Sequence, residues 1–202
     1  RELRVSKSYY SLMALHFSKE EFEKRKSKTL NSMKELNLDA LLMFRQESMF
    51  WLTGYDTFGY VFFQTLILDQ KGNVILLTRA PDLRQAQNTS NIKDIRIWVD
   101  KDNSNPTDEL KIILNELDLK GKKIGIEYEA YGMTGRNALK LNKSLDNYCD
   151  VEDQSELITK HRVVKSKEEI VYVKKAAELA DKALNEAWKY TKAGASEAKI
   201  LA

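Results

Sequence analysis

The chain has 202 residues, 43% of them hydrophobic, and its 33 Lys and Arg nearly balance 30 Asp and Glu for a net charge of +3. That length allows one large domain, or one domain plus part of another, with a core that needs no covalent staples. So even a charge is a solubility property and excludes the basic signature of nucleic-acid binding, while the single cysteine, Cys149, excludes an internal disulfide and fits a reducing, cytoplasmic compartment.

No window approaches the ~18 consecutive apolar residues of a membrane span, and no apolar h-region of a secretion signal follows the first charges. Residues 1–16 contain Tyr9, Tyr10, Leu12, Met13 and Leu15 without a clear period and read as an arm that packs on the domain or on a partner. Ser18 and Glu21 then have capping-box spacing, with Phe17 as a hydrophobic staple against Phe22. Phe22, Leu30, Met33 and Leu36 mark one face of a helix ending near Asn37. Ala40, Leu41, Leu42 and Met43 form a short strand apolar on both faces, as in a sheet covered on both sides.

Residues 50–68 are the stretch around which the chain is organised. Positions 50–52 are expected to be extended, and Gly54 and Gly59 bracket a loop of Tyr55, Asp56, Thr57 and Phe58. Residues 60–68 read as a long central strand. Loops held on rigid elements are where binding residues gather. The residues of this stretch therefore have two readings, as core, which suits Phe62 and Phe63, or as a binding surface, which suits Tyr55, Asp56 and Phe58.

A hairpin turn at 69–73 leads into a strand at 74–77, Arg79 stands at its end, and a short helix is expected at 82–88. Ile95, Ile97 and Val99 alternate as a strand. Pro106 opens a helix carrying Leu110, Ile113, Leu114 and Leu117, a strand follows at 123–127, and residues 134–145 form a helix with Leu139, Leu141 and Leu145. Tyr148, Cys149 and Val151 belong to a strand in which Cys149 is a small buried thiol, and a helical turn spans 155–161. This alternation with one hairpin predicts an α/β domain, a mixed β-sheet flanked by helices.

From residue 163 the character changes. Ser166 and Glu169 form a second capping box. Ile170, Val173, Ala177, Ala180 and Leu184 then make the stripe of a long helix stopped at Gly194, and another helix begins near Ser196. The expected division is an arm at 1–16, an α/β domain at 17–162, and at 163–202 a linker with the start of a second, truncated domain.

Reagents for catalysis are missing from this pattern. His16 and His161 have no ligand neighbour at metal-binding spacing, and His161, in a basic run, reads as part of a solvated helix face. There is no phosphate loop and no Gly-x-Ser-x-Gly elbow, so no catalytic residue and no metal site are read within the chain. Arg79 is the best-placed charge: it either clamps a carboxylate in bidentate fashion or pairs with Asp82.

The run from Met49 through Phe50, Trp51, Leu52 and Thr53 to Gly54 and Tyr55, preceded by Phe17, Ser18, Glu21 and Arg25, resembles the N-terminal domain of the creatinase and Xaa-Pro peptidase (prolidase) family. Leu38 to Leu42, the strand from Ile124 to Glu127, the junction from Arg162 to Ile170, and Gly194 to Glu197 are similar to that family in order and spacing. The resemblance covers nearly the whole chain from residue 17, and looks closest to the ectoine hydrolase and creatinase branch. It implies a homodimeric, two-domain "pita-bread" metallohydrolase acting on a C–N bond of an Xaa-Pro dipeptide or a small amide, guanidino or cyclic compound. Two divalent ions (Mn²⁺, Co²⁺ or Zn²⁺), held by two Asp, one His and two Glu, would all bind beyond Ala202, leaving none in this segment. The resemblance also implies that this domain shapes the substrate pocket and reaches the neighbouring subunit's site. Tyr55, Asp56, Phe58 and Tyr60 are then the expected pocket wall and Arg79 an anionic-group contact. Two alternatives remain, a non-catalytic interaction module of the same fold and a nucleotide-binding α/β domain, the second disfavoured by the missing glycine loop.

Overall fold

The structure, a computed structural model, describes residues 15–201. Of the arm expected at 1–16, only Leu15 and His16 lie within them. Helix α1 (Lys19–Glu35) starts where the Ser18 hydroxyl accepts the Glu21 N–H at 3.1 Å, a cap that contributes about 1 kcal/mol. It leaves through Asn37, at φ +56, into β1 (Ala40–Met43).

β1 sits inside a six-stranded sheet with β2 (Thr65–Asp69), β3 (Val74–Arg79), β4 (Asp94–Trp98), β5 (Lys123–Ile126) and β6 (Asp150–Asp153), in the order β4-β3-β2-β1-β5-β6. The hairpin β2–β3 is antiparallel and so is β1–β2, with Leu41 opposite Leu68; β3–β4, β1–β5 and β5–β6 are parallel. β2 alone therefore runs against the other five strands.

The remaining helices of this unit are α2 (Gln46–Thr53), α3 (Leu83–Thr89), α4 (Pro106–Glu116), α5 (Gly135–Leu145) and α6 (Leu157–Val163). Strand periodicity of two splits the core between the sheet's faces. Ala40, Leu42, Ile67, Ile124 and Ile126 meet α4 and α5 through Leu110, Leu114, Leu141 and Leu145. Leu41, Met43, Leu66, Leu68 and Leu76 face the other way, against Met33 of α1, Met49 and Leu52 of α2, Ala86 of α3 and Ile158 of α6. Each fully buried Leu or Ile contributes about 1.5–3 kcal/mol. The result is the α/β architecture expected, a mixed sheet between two helical layers.

Several local readings differ from the structure. Residues 50–52 are helical rather than extended, because Met49 and Leu52 gain burial on α2 and Gly54 ends the helix in a left-handed conformation (φ +81), its N–H reaching Phe50 O at 2.8 Å. The strand expected at 60–68 begins only at Thr65, since residues 58–61 coil into a 3-10 turn whose Gly59 N–H bonds the Thr57 hydroxyl. Leu139 is 74% exposed, standing about 200° around α5 from Leu141, while Leu141 and Leu145 share the buried face. β6 starts after Cys149, which is half-buried; burial pushes its thiol up to about 11 and so disfavours the thiolate.

The described residues divide into two compact units between Val163 and Val164. Within the second, α7 (Lys167–Tyr190) opens on a two-way capping box, Glu169 N–H to Ser166 Oγ at 3.2 Å and Ser166 N–H to Glu169 Oε2 at 2.8 Å. Gly194 (φ +84) separates it from α8 (Glu197–Leu201). The α7 stripe of Ile170, Val173 and Leu184 is exposed. Among the described residues, no helix is long and apolar enough to cross a membrane.

Candidate functional site

Five strands run one way, so the segments leaving their C-terminal ends gather along one edge, joined there by the segment that enters β2. Residues 44–46, 55–63, 79–82 and 127–133 meet at that edge. Ligands of open α/β sheets bind outside such strand ends.

The structure separates the five sequence-predicted residues by role. Tyr55 is corrected from pocket wall to core: it is 0% exposed, its hydroxyl donates to Gln64 Oε1 at 2.9 Å and lies 3.3 Å from Thr78 Oγ1, and burial raises its pKa. A phenol with its hydroxyl satisfied inside is an anchor for the loop. Asp56 is exposed, and its backbone N–H donates to Thr89 Oγ1 at 3.1 Å, tying the loop to α3. Phe58 is 88% exposed and Tyr60 partly so. Arg79 makes the local ion pair, its Nε 3.3 Å from Asp82 Oδ2, and its guanidinium lies 3.4 Å from the centre of the Phe62 ring. Phe62 itself is 42% exposed, unlike its buried neighbour Phe63.

Asp82 is the clamp under this loop. Its Oδ1 accepts the Thr57 hydroxyl at 3.1 Å, Thr57 in turn accepts the Gly59 N–H at 2.9 Å, and a Cβ on Gly59 would stand 2.5 Å from both carboxylate oxygens. A second brace comes from residues 128–133. A Cβ on Gly132 would lie 2.3 Å from Phe62 O and 3.1 Å from Tyr60 O, and Tyr131 meets Tyr60 edge-on with ring centres 5.6 Å apart. Phe58, Val61, Phe62 and the 77% exposed Tyr131 are thus presented to solvent on a fixed frame. These exposed side chains make the loop and its brace the candidate binding surface.

Beside this surface a cleft of about 500 Å³ is lined by Phe44, Arg45, Gln46, Tyr60, Tyr128 and Tyr131, among others. Arg45 spans its floor: Nε donates to Glu129 O at 2.6 Å, Nη1 to Thr159 Oγ1 at 2.5 Å, and Nη2 to the Glu129 carboxylate. Gln46 Nε2 donates to Tyr55 O at 2.8 Å, and its buried Oε1 has no partner. A larger groove of about 830 Å³ around Lys26, Gly72, Asn91 and Arg96 contains none of the sequence-predicted site residues.

Two residues that the sequence reading assigned no role support the site. Glu127, fully buried, accepts N–H bonds from Phe44 and Arg45 and the hydroxyl of Ser48; burial pushes its pKa up to about 7 against those bonds and the Arg45 charge. Arg25 donates to Trp51 O at 2.8 Å and Glu21 Oε1 at 3.1 Å and lies 4.0 Å over the Phe17 ring. The available signal was charge at a buried position: Glu127 ends an apolar strand, and Arg25 follows Phe22 by three residues on α1's inner face. His161, read as solvated, is half-buried and stacked on Trp51 at 6.0 Å; burial and then Lys28 lower its pKa.

Among the described residues, no group of three or more His, Cys, Asp or Glu side chains could hold a metal ion. The described residues therefore do not fit a dinuclear metal centre.

The family model described as the creatinase/prolidase N-terminal domain matches residues 25–164. A protein of Sinorhizobium fredii named as an uncharacterized hydrolase/peptidase is 26% identical over 195 residues, 93% of this chain and 50% of its own length. The ectoine hydrolase of Halomonas elongata is 25% identical over 181 residues, 83% of this chain and 43% of its own length. The chain thus spans about half the length of the curated relatives it matches. In fold, it is similar to the prolidase of Thermococcus sibiricus (TM-score 0.73, 23% identity, 89% of this chain and 47% of that one). The Xaa-Pro dipeptidase of Bacillus anthracis is alike too (TM-score 0.70, 18% identity, 89% and 46%).

Proposed function

The chain belongs to the creatinase/prolidase N-terminal domain family, and on that premise we propose that it is the substrate-recognition and dimerisation part of a dinuclear metal-dependent hydrolase. The substrate is an Xaa-Pro dipeptide or a related small amide, guanidino or cyclic compound, cleaved at a C–N bond. The two divalent ions, Mn²⁺, Co²⁺ or Zn²⁺, belong to the part of the protein outside this sequence, where paired metals would generate a hydroxide and polarise the scissile carbonyl. This segment supplies shape. Phe58 and Tyr60 form a wall of the substrate site, in a second copy of the chain, and Arg79 carries that wall through Phe62 and Asp82.

One observation carries the reading: Phe58 is 88% exposed on a loop that Asp82, Tyr55 and Gly132 hold from three sides. An aromatic residue on a braced loop orders less of the chain when it meets a ligand than one on a loose loop. The test begins with the coding region beyond Ala202, expected to carry Asp, Asp, His, Glu and Glu in that order. The complete protein, loaded with each of the three metals, is then assayed on Xaa-Pro dipeptides and on ectoine. Metal-dependent cleavage by a dimer supports the proposal. Absent ligands, or a metal-loaded protein that cleaves none of these substrates, would replace the enzyme with a binding module.

A further inference from the structure

Helix α2 links the cleft to the exposed loop, and both of its ends are pinned. At its start, Glu127 Oε2 accepts the Phe44 and Arg45 N–H groups at 3.0 Å each and Oε1 accepts the Ser48 hydroxyl at 2.6 Å. Glu127 cannot drift, because its own N–H donates to Leu42 O at 3.0 Å and so joins it to the neighbouring strand β1. At the far end, Arg25 holds the Trp51 carbonyl and Gly54 turns the chain into the loop. Gln46, on the first turn of α2, reaches forward to bond Tyr55 O, so the start of the helix is also tied to the loop that follows it.

We propose that Glu127 is the positioning residue of this site: by fixing the turn between β1 and α2 it sets the floor of the cleft, through Arg45 and Gln46, and the placement of the aromatic loop that follows α2. The inference rests on the function proposed above for what the loop contacts, but not for the mechanical linkage. Chemistry favours an acid here. Three donors converge on one side chain, and a carboxylate has acceptor sites for all of them. The Ser48 hydroxyl can reverse and accept, so the network also survives protonation, with Oε2 keeping both backbone N–H groups. Arg45 is the charged group that faces the carboxylate. Neutralising Glu127 therefore loosens the hold on Arg45 and α2 without emptying the site, whereas removing the side chain leaves two buried N–H groups without acceptors.

The experiment is hydrogen exchange on this chain and on Glu127→Ala and Glu127→Gln, with kcat and KM measured for the same variants in the complete protein on an Xaa-Pro dipeptide. In Glu127→Ala, exchange at 44–49 and 55–62 is expected to rise by about tenfold or more, the effect of losing a buried hydrogen bond, while the β2–β3 hairpin is unchanged. Glu127→Gln is expected to restore most of the protection and to abolish any pH dependence of loop exchange, corrected for intrinsic rates, near neutrality. KM is expected to rise in Glu127→Ala with kcat within about twofold. Loop exchange unchanged in Glu127→Ala, or an equal rise across the whole sheet, would overturn the positioning role. A kcat loss at constant KM would overturn it too. If the complete protein hydrolyses nothing, the proposed enzyme fails alone, and the exchange data still decide whether Glu127 positions the loop.

Discussion

Buried charge is the residue-scale theme of this domain. Arg25 bonds Glu21 and the Trp51 carbonyl and lies against the rings of Phe17, Phe22 and Trp51. Arg25→Ala leaves Glu21 buried without this cation, and breaking a buried pair from one side costs about 3–5 kcal/mol. Urea unfolding is expected to show a loss of that order, with Arg25→Lys intermediate because a point charge cannot reach both acceptors. Glu127 gives a pH prediction. Its pKa is raised from 4.5 to about 7 in the folded protein, so the fold binds its proton more tightly than the unfolded chain does. That contribution is complete below the unfolded value and is lost as pH rises through about 7. Thermal unfolding of wild type minus Glu127→Gln should thus decline between about pH 5 and about pH 8, and a flat difference would refute the shifted pKa. Neither residue's role was legible in sequence. Both have polar partners many positions away, and only the fold brings together residues 44, 45 and 48 with 127, or 25 with 51.

At the scale of elements, the loop's presentation depends on two close approaches. A methyl group on Gly59 would meet the end of the Asp82 side chain, which can swing aside but would abandon Thr57 and Arg79. On Gly132 it would meet the Phe62 backbone carbonyl at 2.3 Å, which has no such freedom. Gly132→Ala is therefore expected to destabilise by about 1–3 kcal/mol and to cost more than Gly59→Ala. Thermal melts and the ring resonances of Tyr60 and Tyr131 check the order, and a harmless Gly132→Ala would contradict the packing. Elements with strong period or caps were legible from sequence: α1 by Ser18, β1 by its two apolar faces, the β2–β3 hairpin by its turn, α4 by Pro106, α7 by Ser166 and Glu169. Residues 50–64 were not, because an aromatic-rich run has strand propensity whatever it does. What decided them was tertiary, the burial of Met49 and Leu52 and the seating of Gly59 on Asp82.

On the scale of the whole molecule, one topological fact organises the site: five strands share a direction and deliver Phe44, Arg79 and Glu127 to the same edge as the loop that enters β2. The sequence showed the aromatic loop as a surface to bind with, but it could not show which aromatics face solvent. Tyr55 and Phe58 are three residues apart, one buried and one bare. The central claim is that Phe58 touches substrate while the metals lie elsewhere. Its most direct test is steady-state kinetics of Phe58→Ala in the complete, metal-loaded protein on an Xaa-Pro dipeptide, with metal content measured alongside. The expected result is KM raised about tenfold, with kcat and bound metal unchanged, as for lost ground-state binding. Unchanged KM would return Phe58 to the surface as a bystander, and a loss of metal with the side chain would place it in the wrong part of the machine.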